Sequence, residues 1–212
     1  MAFEYSLFFS YRRDDEERDF IICLKNKLKS IARKSIDFEE VFFDEESIDW
    51  GKEFDDKIYD GILSSCFFIP IWQTTYLSKR KLWCAYELFY AIKVEEEVRN
   101  SVNPEFCFIL PIIRIDPNSL HENIMTKNFI DIRNYLSAVT RKKPTKKFIE
   151  LENKIAHILR KNAWFVEEED FQSLCSQIKK PSKEEIIEWI NSHNQRIKEI
   201  ECGKSPLLRK NK

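Results

Sequence analysis

One carboxylate is set apart by its neighbours. Glu87 closes the run Trp83-Cys84-Ala85-Tyr86-Glu87 and is followed by Leu88. Residues three and four apart share a face of a helix, so Trp83 and Cys84 put Glu87 on a semi-apolar side. A carboxylate placed there is partly desolvated, which strengthens its field on a developing positive charge. The competing reading is a surface acid paired with Arg80 or Lys81. Trp83 reads as a packing residue first and as the wall of a cleft second. Cys84 reads as a buried spacer, since no His stands within several positions to activate a thiol. Arg12 and Arg13 follow the apolar stretch Tyr5–Tyr11. Guanidinium groups leaving a strand end can grip a phosphate bidentately, or pair with Asp14, Asp15 or Glu16. Asp44 and Glu46 follow a second apolar stretch, Val41–Phe43; Asp44 either caps a turn or meets a ligand.

Other chemistries lack their residues. The six cysteines, at 23, 66, 84, 107, 175 and 202, form no CxxC pair, and the three histidines are isolated, so no zinc site is expected. Cys66 and Cys107 sit in apolar runs as small core residues, which points to a reducing, cytoplasmic setting. No glycine-rich phosphate loop is present, which argues against a dehydrogenase. Lys+Arg is 35 against Asp+Glu 36, so net charge gives no support for nucleic-acid binding. No apolar run approaches the ~20 residues of a membrane helix. The N-terminus has no basic region before its apolar stretch, so no secretory signal is expected. With 43% hydrophobic and 14% aromatic residues, the chain can bury a large core.

These residues need a scaffold, and apolar periodicity supplies one. Tyr5–Tyr11, Val41–Phe43, Cys66–Trp72, Phe106–Ile113 and Phe129–Ile132 read as strands. Asp14–Lys34, Phe54–Leu63, Lys81–Arg99 and Thr145–Leu159 read as helices, the first with Phe20, Leu24, Leu28 and Ile31 on one stripe. Runs without alternation imply strands covered on both faces, and helices between them imply parallel crossovers. Ligands of such sheets bind beyond the C-terminal strand ends, which gathers Ser10–Asp15, Asp44–Gly51 and Trp72–Trp83 around one cleft. Gly51 supplies a positive φ in its loop, and Gly61 marks close helix–sheet packing. After Pro181, Ser182 and Glu185 form a capping-box signature. The stripe Ile186, Trp189, Ile190, His193, Ile197 and Ile200 then predicts one long amphipathic helix, ended at Cys202-Gly203 and followed by a basic tail. Its apolar face calls for a surface, and docking on the same chain is the favoured one over a dimer contact or an outside partner.

Three segments in order resemble the Toll/interleukin-1 receptor (TIR) domain family: Phe8-Phe9-Ser10-Tyr11-Arg12-Arg13, the loop region Phe42 to Phe54, and Trp83-Cys84-Ala85-Tyr86-Glu87-Leu88, a full WCxxEL motif. The resemblance covers about residues 4–160. It implies a flavodoxin-like open parallel five-stranded sheet with helices on both faces, here a TIR domain over 1–160 with a helical extension and basic tail over 161–212. Some family members are adaptors that signal by homotypic contact. Others cleave NAD+ at the nicotinamide–ribose bond with the WCxxE glutamate, and Thoeris-like bacterial members serve in antiphage defence, some releasing a cyclic or modified ADP-ribose that activates an effector. By this resemblance Glu87 is catalytic. Ser10, Tyr11, Arg12, Arg13, Asp44, Glu46 and Trp83 line the substrate pocket. Ile48, Trp50 and Gly51 belong to a loop that meets a neighbouring protomer. NAD+ is then a substrate, with no resident cofactor or metal. The sequence departs from the family after the third strand, where Trp72-Gln73-Thr74-Thr75-Tyr76 lacks the usual Ser and the stretch from Tyr76 to Trp83 is longer than usual. Two functions stay open: an NAD+ nucleosidase or cyclase, and an interaction module that only assembles.

Overall fold

Alternating apolar runs and amphipathic stretches become strands and crossover helices in a computed structural model of the chain. It describes residues 3–12, 18–36, 40–43, 54–73, 76–77, 82–116, 129–141, 143, 145–162, 173 and 177–201, without the side chains of 54, 55, 196, 197 and 199–201. The elements are β1 (Tyr5–Ser10), α1 (Arg18–Ile36), β2 (Val41–Phe42), α2 (Phe54–Leu63), β3 (Ser65–Trp72), α3 (Trp83–Ser101), β4 (Ile112–Ile113), β5 (Ile130–Asp131), a 3-10 turn at Arg133–Tyr135, α4 (Leu136–Val139), α5 (Lys146–Asn162) and α6 (Lys183–Glu201). The five strands run in the order β2-β1-β3-β4-β5, and every pair is parallel. This is the expected open α/β sheet.

The period of two along each strand divides the core. Leu7 and Phe9 of β1 and Phe67, Ile69 and Ile71 of β3 pack under α1 and α5. Phe8 of β1 and Phe68 and Trp72 of β3 pack under α2 and α3. In α1 the stripe Ile21, Leu24, Leu28 and Ile31 is buried, with Phe20 half-covered at its edge. Gly61 meets the expectation of close packing: a Cβ there would lie 2.5 Å from the Phe42 ring.

The expected strand Phe106–Ile113 is corrected. Only Ile112–Ile113 form a strand, with one isolated bridge from Phe68 to Ile109. Consecutive N–H groups of an extended chain point to opposite sides, yet those of Phe108 and Ile109 both donate to Glu95 Oε2, at 2.9 and 2.7 Å. The backbone is therefore curled around a buried carboxylate of α3. Pro70 adds to the break, because β3 meets this segment through the groups of Phe68 and Trp72, and Pro70, in phase with them, has no N–H to donate.

The C-terminal helix is present and docked on its own chain. Ser182 N–H donates to Glu185 at 2.7 Å and Glu185 N–H to Ser182 Oγ at 3.2 Å, a complete capping box. Ile186 and Ile190 are buried with Ala85 of α3, and Trp189 packs beside them. Phe165 and Phe171, Cys202-Gly203 and the basic tail lie outside the described residues.

Candidate active site

The strand order reverses between β1 and β3, and such crevices hold the ligands of open parallel sheets. Ser10 is the last residue of β1, paired with Pro70 of β3. Being in phase with Phe8, its side chain faces α3. There Ser10 Oγ donates to Glu87 Oε2 at 2.5 Å. The same oxygen lies 2.6 Å from the Tyr76 hydroxyl. Since the Ser10 proton goes to the carboxylate, Tyr76 is the donor to Ser10, and the three groups form a relay.

All three are interior: Tyr76 is 0%, Ser10 1% and Glu87 4% exposed. Glu87 is thus more deeply desolvated than its helix position predicts. Arg80 and Lys81, its expected surface partners, lie outside the described residues. Burial first, then the Cys84 sulfur and the Glu87 carboxylate, push the Tyr76 phenol well above its ordinary value, so it remains a protonated donor. Cys84 is buried and its Sγ donates to the Tyr11 carbonyl at 3.3 Å. That contact ties the first turn of α3 to the exit of β1 and fits the spacer reading.

Trp83 corrects an expectation. It is 44% exposed and stands beside the Tyr86 ring at 5.9 Å, so it is not a core residue. It occupies the solvent end of the helical face whose inner end is Glu87. Sequence order misleads for Tyr11 as well. Its ring stacks on Phe43 at 5.0 Å within the α1-side core, leaving its backbone carbonyl as its contribution near α3. Arg12 is half-buried at the strand exit. Arg13, Asp44, Glu46, Ile48, Trp50 and Gly51 lie outside the described residues.

Tyr76 was not singled out by sequence reasoning as a site residue. The available signal was indirect: the run Trp72 to Tyr76 lacks the usual Ser near the strand end and closes on an aromatic hydroxyl. Gln73 and Arg114 join the same sheet edge, with Arg114 Nη1 donating to Gln73 Oε1 at 3.4 Å. A separate groove of about 350 Å³ lies on the opposite face, between α1 and α5, lined by Lys27, Lys34, Phe148 and Glu152 among others. Among the described residues no cluster could hold a metal ion, and no helix is long and apolar enough to cross a membrane. Among the described residues Cys23, Cys66, Cys84 and Cys107 form no disulfide, and burial pushes the Cys66 thiol up to about 12.

Comparison with solved structures finds similarity to the TIR domains of the activated Roq1 resistosome, which directly recognises the pathogen effector XopQ. That likeness has 16% identity and a TM-score of 0.42, over 83% of this chain and 100% of that one. No curated protein matches the sequence. The family whose description is TIR domain matches residues 7–143, well over half of the chain and from the middle of β1 to the turn before α5. The protein belongs to the TIR domain family.

Proposed function

We propose that this TIR domain, taken as residues 1–160 with a helical extension over 161–212, cleaves NAD+ at its nicotinamide–ribose bond, with Glu87 as the catalytic carboxylate. The observation that carries this reading is the WCxxEL glutamate buried in the crevice at the strand-order reversal and held there by Ser10.

The chemistry asks little of a general acid. The C1′–N bond breaks with its electron pair going to the pyridinium nitrogen, and nicotinamide leaves neutral. Positive charge grows on the ribose ring, as in glycoside cleavage. A fixed carboxylate in a water-poor site stabilises that charge, and one such group contributes on the order of 10²–10³ in rate. An acceptor lone pair then closes on C1′. Water gives ADP-ribose and a proton to solvent; an internal nucleophile gives a cyclic or modified product. NAD+ is consumed as substrate, and the reaction calls for no resident cofactor.

Trp83 walls the approach to Glu87, and Arg12 and Arg13 meet the diphosphate. Asp44 and Glu46 complete the pocket, and the loop with Ile48, Trp50 and Gly51 meets a second copy of the chain. The product acts as a cytoplasmic signal to an effector in antiphage defence. Incubation of the purified protein with NAD+, with products identified by mass spectrometry, tests the reading. Nicotinamide release by wild type and its loss in folded Glu87→Gln is the expected result. The near-complete burial of Glu87 favours one second reading, an assembly module in which this carboxylate is a structural strut. Absence of turnover at every protein concentration, with Glu87→Gln markedly less stable, would decide for that module.

A further inference from the structure

The Tyr76 hydroxyl serves no packing purpose. Its ring lies 5.0 Å from that of Trp72 in the apolar cluster under α2 and α3, and a phenyl group would fill the same space. A buried hydroxyl without a partner is costly, and this one is committed to Ser10. Ser10 in turn is committed to Glu87. A donor into the Ser10 oxygen polarises its O–H and strengthens donation onward. With the phenol protonated, the Ser10 proton has the carboxylate as its acceptor, so the direction of the relay is set from the Tyr76 end.

The surroundings hold Tyr76 in place. Its N–H donates to the Gln73 carbonyl at 2.9 Å, just past the end of β3. Leu77 packs against the Ala85, Ile186 and Ile190 cluster. Trp72 lies between Tyr76 and the His193 ring of α6, which meets it edge-on at 6.2 Å. α6 follows residue 143, where the family match ends. Trp72 and Leu77, on either side of Tyr76 in sequence, are therefore braced by a helix beyond the matched span.

We propose that Tyr76 is a positioning residue for Glu87, its hydroxyl orienting Ser10 and Ser10 orienting the carboxylate. The proposal rests on the reading of Glu87 as the catalytic group. It does not touch substrate itself, so its removal affects turnover rather than binding.

The test uses the full chain as wild type, Tyr76→Phe, Ser10→Ala and the double variant. Tyr76→Phe is expected to leave KM for NAD+ within about twofold and to lower kcat about tenfold. The double variant is expected to be no slower than Ser10→Ala, because both changes break one relay. An unchanged kcat in Tyr76→Phe, or losses that multiply in the double variant, would overturn the proposal. A second readout needs no turnover. In protein carrying 13C-labelled glutamate, the Glu87 carboxyl resonance, assigned by its loss in Glu87→Gln, is expected to move in Tyr76→Phe in the same direction as in Ser10→Ala, and less far. A resonance that stays put in folded Tyr76→Phe refutes the relay whether or not NAD+ is cleaved. No nicotinamide release by wild type, with the resonance moving as expected, instead refutes the catalytic reading of Glu87.

Discussion

Ser10 and Glu87, 77 positions apart in sequence, are joined by a 2.5 Å hydrogen bond in the interior of the fold. The bond links the end of β1 to the second turn of α3 and makes the strand-order crevice a chemically specific place. It also gives the WCxxEL glutamate a fixed orientation before any ligand arrives, which is the condition for preorganised electrostatic stabilisation.

The Tyr76 phenol makes stability fall at alkaline pH. Its folded value is raised, by burial first, so its contribution is complete below the unfolded value of about 10 and is lost as pH rises through the folded value. Denaturant midpoints at pH 8 and pH 11 are expected to differ more for wild type than for Tyr76→Phe. Equal losses in both proteins would mean that other groups, such as the half-buried Cys66 thiol, carry the alkaline instability.

Gly61→Ala is expected to destabilise the protein by about 1–3 kcal/mol, as overpacking does, despite the better helix propensity of alanine. The added methyl would meet the Phe42 ring at 2.5 Å. That ring cannot retreat, being stacked on Phe8 at 4.8 Å and met edge-on by Tyr5 at 5.2 Å. Urea denaturation of the two proteins measures the difference; a gain in stability would show that the helix–sheet gap opens freely.

Truncation after Lys180 removes α6 and uncovers Ala85, Tyr86 and Phe89 on the helix that carries Glu87. Ile186 and Ile190, both fully buried, represent roughly 1.5–3 kcal/mol each before ordering entropy is subtracted. The shortened protein is expected to melt at a lower temperature and to bind an apolar dye, with its oligomeric state unchanged at matched concentration. Equal stability with a shift from dimer to monomer would assign the apolar face of α6 to a subunit contact.

Trp50→Ala is expected to weaken both self-association and NAD+ cleavage, because Ile48 and Trp50 are apolar side chains in an otherwise acidic segment. Activity per chain measured across a protein dilution series, beside sedimentation of wild type and variant, checks this. Concentration-independent activity together with an active variant would rule out a site shared between protomers.

What sequence made legible was local. Apolar runs marked β1 and β3, the Leu24-Leu28-Ile31 stripe marked α1, and Ser182 with Glu185 announced a helix start that the structure shows bond for bond. The misreadings were tertiary. Phe106–Ile109 is apolar enough for a strand, yet a carboxylate of α3 curls it, and Glu95 gives no local sign of that contact. Trp83 reads as core because indoles usually are, whereas as the first residue of α3 it is 44% exposed while Cys84 and Ala85 beside it are buried. The run from Trp72 to Tyr76 is noticeable for lacking the usual Ser, but Tyr76's partner Ser10 is 66 positions away, beyond the reach of any spacing rule.

The outer strands of the sheet have a consequence for how copies of this protein can meet. β2 and β5 are each described as two residues long, and β5 carries Asp131, whose carboxylate is bonded to the Arg133 guanidinium at 2.7 Å. Margins this short, one of them carrying a charge, offer little template for continuing a sheet from one molecule into the next. Filament growth by strand addition is thereby discouraged at both ends. Oligomers of this domain are left to form through side chains on helices and loops, a mode of contact that can be undone without unpicking the backbone.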